Sequence, residues 1–303
     1  MENLTSRARQ GTTVLVAGAG SIGAGVARSF IASGYRTLVL TRSAARLQGQ
    51  IPGAELVESL PREPASLMVE CLPERTDVKL ALYREVEEAW GGAGVLASNT
   101  SSLDLEELAN GLAYPQRFLG LHYLYPADQA EFVEVVRTGS TSDAVTHEVE
   151  GWIRTCGKTP LTLNRAVMGA LVNRLQHALL REAYHLIEEG VVTAEQIDAV
   201  AKRLLGPRMC VTGLLEQKDI SGLDTHVAAH TSLIPHLSNA TVPATHLKKH
   251  FDQGEHGLKT GRGFYDWSDT EPELVRAYTS SKVDRILGLM KELGLGHGRS
   301  LSR

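Results

Sequence analysis

The sequence lacks the features that would tie it to an oxidising compartment, a membrane or a polyanion. Cysteine is scarce: Cys71, Cys156 and Cys210 are the only three in 303 residues. They lie far apart without metal-ligand spacing, so they read as buried reduced thiols rather than a disulfide or metal framework. No apolar run approaches the roughly 20 residues of a membrane span. The stretch Met1 to Gln10 has no hydrophobic signal-peptide core, and the expected location is the cytoplasm. No Lys/Arg cluster is long enough to seek nucleic acid or an anionic membrane, and the formal net charge is −4. Internal repeats and low-complexity segments are also missing. What remains is 43% hydrophobic and 22% charged, an ordinary soluble globular composition, and long enough for two modest domains or one large one.

Thr12 to Ala17 reads as a buried strand that runs into Gly18-Ala-Gly-Ser-Ile-Gly23 and then a helical segment, Ala24 to Ser33. Strand, glycine turn and helix in that order form a dinucleotide-binding fingerprint. Gly18 permits the tight turn, Gly20 lets the backbone approach a pyrophosphate, and Gly23 lets helix and strand pack closely. The N–H groups around Ser21 and Ile22, at the helix start, are placed to hold phosphates. The second strand, Arg36 to Leu40, bears on the cofactor. NAD sites usually end this strand with an acid that bonds the ribose hydroxyls. Here the tip is Thr41-Arg42-Ser43, with no acid. Arg42 can pair with a 2′-phosphate, and Thr41 or Ser43 can hydrogen-bond it. NADP(H) is therefore favoured, with NAD(H) possible.

Ser66 to Leu72 is a further buried strand, Asp77 to Trp90 has helical spacing, and Val95 to Ala97 is a short strand. The polar cluster Ser98-Asn99-Thr100-Ser101-Ser102 follows at its carboxyl end, where open α/β sheets bind ligands. Some members can instead cap the next helix: Ser102 or Asp104 is a good N-cap. Phe118 to Tyr123 and Phe132 to Val136 then read as two strands separated by a break at Pro126-Ala-Asp128. Doubling back at Pro126 brings His122 and Glu134 together. A carboxylate beside an imidazole fixes its tautomer and stabilises its protonated form, which equips a general acid/base. The same pattern also describes a satisfied core histidine beside an edge glutamate.

A helix over Ser142 to Thr155 and a short strand over Leu161 to Leu163 close this part. Beyond residue 165 the pattern turns helical: Ala166 to Glu189 first, then a helix opened by the capping box Thr193-Ala-Glu-Gln196 and running to Leu205. The expected class is α/β, a Rossmann domain over residues 1–165 followed by an all-helical domain over 166–303. His226/His230 and His246/His250 share helix faces but lack a third ligand, and no metal site is expected. Phe264, Tyr265 and Trp267 are placed to anchor the glycine-rich loop Gly254 to Tyr265.

Together these pieces resemble the 3-hydroxyacyl-CoA dehydrogenase family over nearly the whole chain. The similarity rests on Gly18 to Gly23, Val69-Glu-Cys-Leu-Pro-Glu74 with Lys79, Ser98 to Ser102, Gly120-Leu-His122 with Pro126 and Val133-Glu-Val135, Val172-Asn-Arg174, and Gly257 to Tyr265. The resemblance implies that His122 is the catalytic base and Glu134 its carboxylate partner. It likewise implies Ser101 and Asn173 at the substrate oxygen, and Glu74, Lys79 and Asn99 along the cofactor. A small 3-hydroxy or 3-oxo substrate and a homodimer are expected, with no nucleic acid or membrane partner.

Two departures stand out. The long basic helical insertion that helps the family bind the CoA tail has no room between Thr41 and Ser66. Tyr125 replaces a small amide in His122-Tyr-Leu-Tyr-Pro126 and is expected in the substrate pocket. The short-insertion subgroup also resembles carnitine and gulonate dehydrogenases, which act on free hydroxy acids. An ordinary fatty-acid 3-hydroxyacyl-CoA dehydrogenase, a biosynthetic ketoreductase and a noncatalytic dinucleotide-binding protein are the alternatives.

Overall fold

The computed structural model describes residues 11–295. The chain divides into two compact units, the first ending at Leu175 and the second beginning at Gln176.

The first unit is built on one eight-stranded sheet. Its strands are β1 (Thr13–Ala17), β2 (Arg36–Leu40), β3 (Glu55–Val57), β4 (Leu67–Glu70), β5 (Val95–Ser98), β6 (Phe118–Tyr123), β7 (Phe132–Val136) and β8 (Thr159–Leu163). They lie in the order β3-β2-β1-β4-β5-β6-β7-β8. All neighbours are parallel except β6 and β7, which run antiparallel. β4, β5 and β6 are buried at every residue, which explains their continuous apolar runs: a parallel sheet covered on both faces needs them. Successive β1 residues serve opposite cores. Val14 and Val16 pack with Val26 and Phe30, while Leu15 and Ala17 pack with Tyr83 and Phe118.

The covering helices are α1 (Ser21–Ala32), α2 (Ala44–Leu47), α3 (Thr76–Trp90), α4 (Leu105–Asn110) and α5 (Asp143–Thr155). Asp104 caps α4 and Ser142 caps α5 through their side chains. Among the differences from the sequence reading, two bear on the site. β3 was not expected, because three residues hemmed in by Pro52, Gly53, Pro61 and Pro64 carry too little pattern to announce a strand. The helix expected from Ala166 begins only at Val172, as α6 (Val172–Glu188). Gly169 at φ +80° and Ala170 at φ +46° interrupt it. A non-glycine residue in the left-handed region is unfavourable, so surrounding structure must hold Ala170 there.

The second unit is helical: the remainder of α6, then α7 (Ala194–Val200), a π-helical turn (Ala201–Leu205), α8 (Gly206–Thr212), α9 (Glu216–Ser221), α10 (Leu223–Leu233), α11 (Thr245–Asp252) and α12 (Pro272–Glu292). The Thr193–Gln196 capping box is formed in full. Phe264 stacks on Tyr184 at 5.8 Å, and the Tyr265 hydroxyl donates to Asp198, which fastens the glycine-rich loop. No described residue from 176 to 295 is fully buried. Among the described residues no helix is long and apolar enough to cross a membrane.

Candidate active site

The glycine turn is closed at its ends and open in the middle. Gly18 lies at φ +104°, and a Cβ there would meet the Cys71 carbonyl oxygen at 2.7 Å. A Cβ on Gly23 would sit 2.1 Å from the Gly18 carbonyl oxygen, so only glycine lets α1 start this close to β1. Gly20 has nothing within 4 Å of its Cβ position. It is the N-cap of α1, and no side chain caps that helix. The amides over Ser21 and Ile22 thus head a helix whose approach is clear, as a pyrophosphate requires. These residues fit a dinucleotide.

Gly25 carries the arrangement further. A Cβ there would lie 2.9 Å from the Ala127 Cβ, so α1 packs directly on the loop between β6 and β7. Arg28 pairs with Asp128 at 2.8 Å, and Lys158 donates to the Asp128 and Ala130 carbonyls at 3.1 and 2.7 Å. Burial lowers the Lys158 pKa. The loop bearing Tyr125 is thereby pinned to the dinucleotide helix, while Tyr125 itself is 68% exposed. Gly25 and Lys158 were not singled out in the sequence, because each acts through a contact between residues distant in the chain.

At the β2 tip, Thr41 accepts the Ser43 N–H at 3.3 Å, and Arg42 and Ser43 are exposed. The sequence showed no acid here, yet the structure supplies one. The Ala44 N–H donates to Glu58 at 3.0 Å. Glu58 follows β3, whose Val57 is in register with Leu40. Sequence reasoning missed it because it depended on the unrecognised strand.

The carboxyl ends of β4 and β5 hold a linked set of polar groups. Glu70, fully buried, receives the Lys79 ammonium at 2.7 and 2.8 Å, the Tyr83 hydroxyl at 2.7 Å and the Ser98 hydroxyl at 2.9 Å. Lys79 also lies 3.5 Å from Glu74. Glu74 accepts from the Thr100 hydroxyl at 2.8 Å and from the Ser101 amide and hydroxyl at 2.7 and 3.0 Å. Burial opposes its charge, but the Ser101 amide, Thr100, Lys79 and the Ser101 hydroxyl together hold its pKa below the ordinary carboxylate value. The Asn99 carboxamide oxygen accepts the Tyr123 N–H at 2.8 Å, tying this edge to the end of β6.

His122 and Glu134 face each other across β6 and β7 as directly opposed residues. The His122 Nδ1 is 2.6 Å from the Glu134 Oε2, and both side chains are buried. The other oxygen, Oε1, accepts the Leu171 and Val172 amides at 2.7 and 3.0 Å. The left-handed pair Gly169-Ala170 turns the chain so that these amides meet it. Burial opposes ionisation of Glu134, but His122 and the Val172 and Leu171 amides outweigh it and lower its pKa. A carboxylate can only accept, so Nδ1 carries the proton and Nε2 is the basic nitrogen. Asn173 is the second residue of α6, next in sequence to the Val172 amide. The structure thus brings together His122 and Glu134, and separately Glu74, Lys79, Thr100 and Ser101. Among the described residues no group of three or more His, Cys, Asp or Glu could hold a metal.

A Rossmann sheet with an open glycine cradle, and a carboxylate-oriented imidazole at its carboxyl edge, defines a nicotinamide-dependent oxidoreductase. The comparisons with known proteins narrow this. The family model for the NAD binding domain of 3-hydroxyacyl-CoA dehydrogenase matches residues 55–166, and the model for its C-terminal domain matches residues 169–267. A probable 3-hydroxybutyryl-CoA dehydrogenase of Deinococcus radiodurans is 34% identical over 66% of this chain and 71% of its own. A 5-formyl-3-hydroxy-2-methylpyridine 4-carboxylate 5-dehydrogenase of Mesorhizobium japonicum is 28% identical over 76% and 73%. Among solved structures, a 3-hydroxyacyl-CoA dehydrogenase from Archaeoglobus fulgidus aligns with a TM-score of 0.69 and 31% identity, covering 93% of this chain and 99% of its own. The crystal structure of a 5-formyl-3-hydroxy-2-methylpyridine 4-carboxylic acid 5-dehydrogenase shares the fold at a TM-score of 0.86, with 23% identity over 92% and 98%. The chain belongs to the 3-hydroxyacyl-CoA dehydrogenase family, whose members are oxidoreductases of CH–OH groups. The first family match begins at residue 55, so the reading of the glycine turn rests on its own geometry.

Proposed function

We propose that this enzyme transfers a hydride between a nicotinamide cofactor, NADP(H) in preference to NAD(H), and a small 3-hydroxy or 3-oxo acid or its thioester. The observation that carries the reading is the buried 2.6 Å His122–Glu134 contact, with Glu134 oriented by two further amides. When bound, the cofactor supplies the hydride acceptor or donor. In oxidation, the His122 Nε2 takes the hydroxyl proton as the C–H hydride leaves, and Glu134 stabilises the imidazolium. In reduction, the imidazolium returns that proton to the developing alkoxide. Ser101 and Asn173 hold the oxygen. For Ser101 this means turning its proton from Glu74 to the alkoxide, an exchange of one charge-assisted bond for another.

The family covers both thioester and free-acid substrates by name. Between β2 and β4 this chain has only a four-residue helix and a three-residue strand. No helical hairpin stands there to hold a CoA tail, which supports a small acid. Tyr125, bulky and exposed, follows His122 by three residues in the loop between β6 and β7 and would shape the pocket for it. The exposed Arg42 supports NADP(H) through a 2′-phosphate. The helical unit supports a homodimer: Leu179, Val211, Leu215 and Ile220 are exposed apolar residues that a second copy would cover. Three free cysteines suit a reducing cytoplasm.

A panel crossing NADH and NADPH with acetoacetyl-CoA, free 3-oxo acids and the oxidised forms of carnitine and gulonate tests the reading. Turnover of a free acid with NADPH is expected. Absence of turnover with every pair would contradict it.

A further inference from the structure

We propose that Glu58 is a cofactor-specificity residue: its carboxylate stands in for the acid missing from the β2 tip and restrains the preference for NADP(H) that Arg42 creates. The inference builds on the dinucleotide reading of the glycine turn, and it holds whichever cofactor the wild type prefers. In this fold the turn after β2 meets the adenosine ribose, where an acid binds free hydroxyls and a guanidinium binds a 2′-phosphate. The chain places one group of each sign at that turn. Arg42 comes from the turn itself. Glu58 comes from the neighbouring strand: the Thr41 N–H donates to the Val57 carbonyl at 2.9 Å, so the residue after Val57 stands beside the turn. Its carboxylate is fixed there by the Ala44 N–H at 3.0 Å.

Both side chains are exposed, so both face the solvent at this turn. Arg46 on α2 is a second cation at this edge, and Arg36 is already paired with Glu55 at 2.9 Å. The turn therefore offers a 2′-phosphate attraction from Arg42 and repulsion from Glu58. It offers a ribose diol a charged acceptor in Glu58. Such a balance gives a site that takes both cofactors, with a bias set by the difference of two charges.

Glu58→Gln isolates the charge, because the glutamine oxygen can still accept the Ala44 N–H. The measurements are the dissociation constants of NADPH and NADH by fluorescence titration, alongside kcat/KM for both. The ratio should shift toward NADPH by roughly three- to tenfold in Glu58→Gln and toward NADH in Arg42→Ala, as expected for exposed charges. Because the first shift is coulombic, it should shrink as salt is raised from about 0.05 to 0.5 M. An unchanged ratio in Glu58→Gln, with the Arg42→Ala shift intact, would reduce Glu58 to a helix cap and overturn the proposal. A wild type preferring NADH, with both shifts present, would overturn only the NADP(H) preference and leave the role of Glu58 standing.

Discussion

Glu134 receives three hydrogen bonds, from His122, Leu171 and Val172, and each favours its charged form. Its folded pKa lies below the ordinary value. Its contribution to stability is therefore complete above the unfolded carboxylate pKa of about 4.3 and fades as pH falls through the lower folded value. Glu134→Gln should make the acid limb of the stability curve shallower, as read from urea midpoints between roughly pH 3 and 6. A limb identical to wild type would show that the carboxylate is not preferentially charged in the folded protein. At this scale the sequence was informative where partners are close in the chain. His122 and Glu134 are twelve residues apart in one hairpin, and a doubling back at Pro126 is enough to bring them together. Glu70 was not legible as the receiver of Lys79, Tyr83 and Ser98, since those partners meet only when β4, β5 and α3 pack.

At the scale of elements, the turn from β1 to α1 is specified by glycines doing different things. Gly23→Ala places a methyl group against a backbone carbonyl that cannot yield cheaply, and it should cost about 1–3 kcal/mol of stability, a usual penalty for overpacking. Gly20→Ala should leave the denaturation midpoint nearly unchanged, because nothing lies near its Cβ. It should weaken NAD(P)H binding by about tenfold, as the methyl group fills the cradle. Equal behaviour of the two variants in both measurements would contradict the division of labour. The strands carrying this turn and the dyad were legible because strands buried on both faces are continuously apolar. β3 and the late start of α6 were not. A three-residue strand has no period to read, and the helix was interrupted by Ala170, whose left-handed conformation is imposed by its surroundings rather than by its own preference.

At the scale of the whole molecule, the two units differ in how they bury apolar surface. The sheet unit has a core on each face. The helical unit has no fully buried residue between 176 and 295 among those described, and Leu215 is 83% exposed. Most helical stability comes from packing an apolar face, and apolar residues left this exposed are what a second copy is expected to cover. Light scattering should give twice the chain mass of 32.8 kDa, and a monomer at micromolar concentration would contradict the dimer. The class of architecture was readable from the change from alternating strands and helices to helices alone. The two family matches meet between residues 166 and 169, whereas compactness divides the chain at Leu175. The difference is the segment whose amides Glu134 holds, which a pattern of apolar spacing does not reveal.

The central claim is that His122, oriented by Glu134, moves the proton that accompanies hydride transfer. The most direct measurement is single-turnover reduction by His122→Ala with NAD(P)H, using whichever oxo substrate the wild type turns over, beside a titration of NAD(P)H binding. The account predicts a rate lower by about 10²–10⁴-fold, the usual contribution of a general acid/base, with cofactor affinity within about twofold of wild type. A His122→Ala variant that reduces the substrate at the wild-type rate would contradict it.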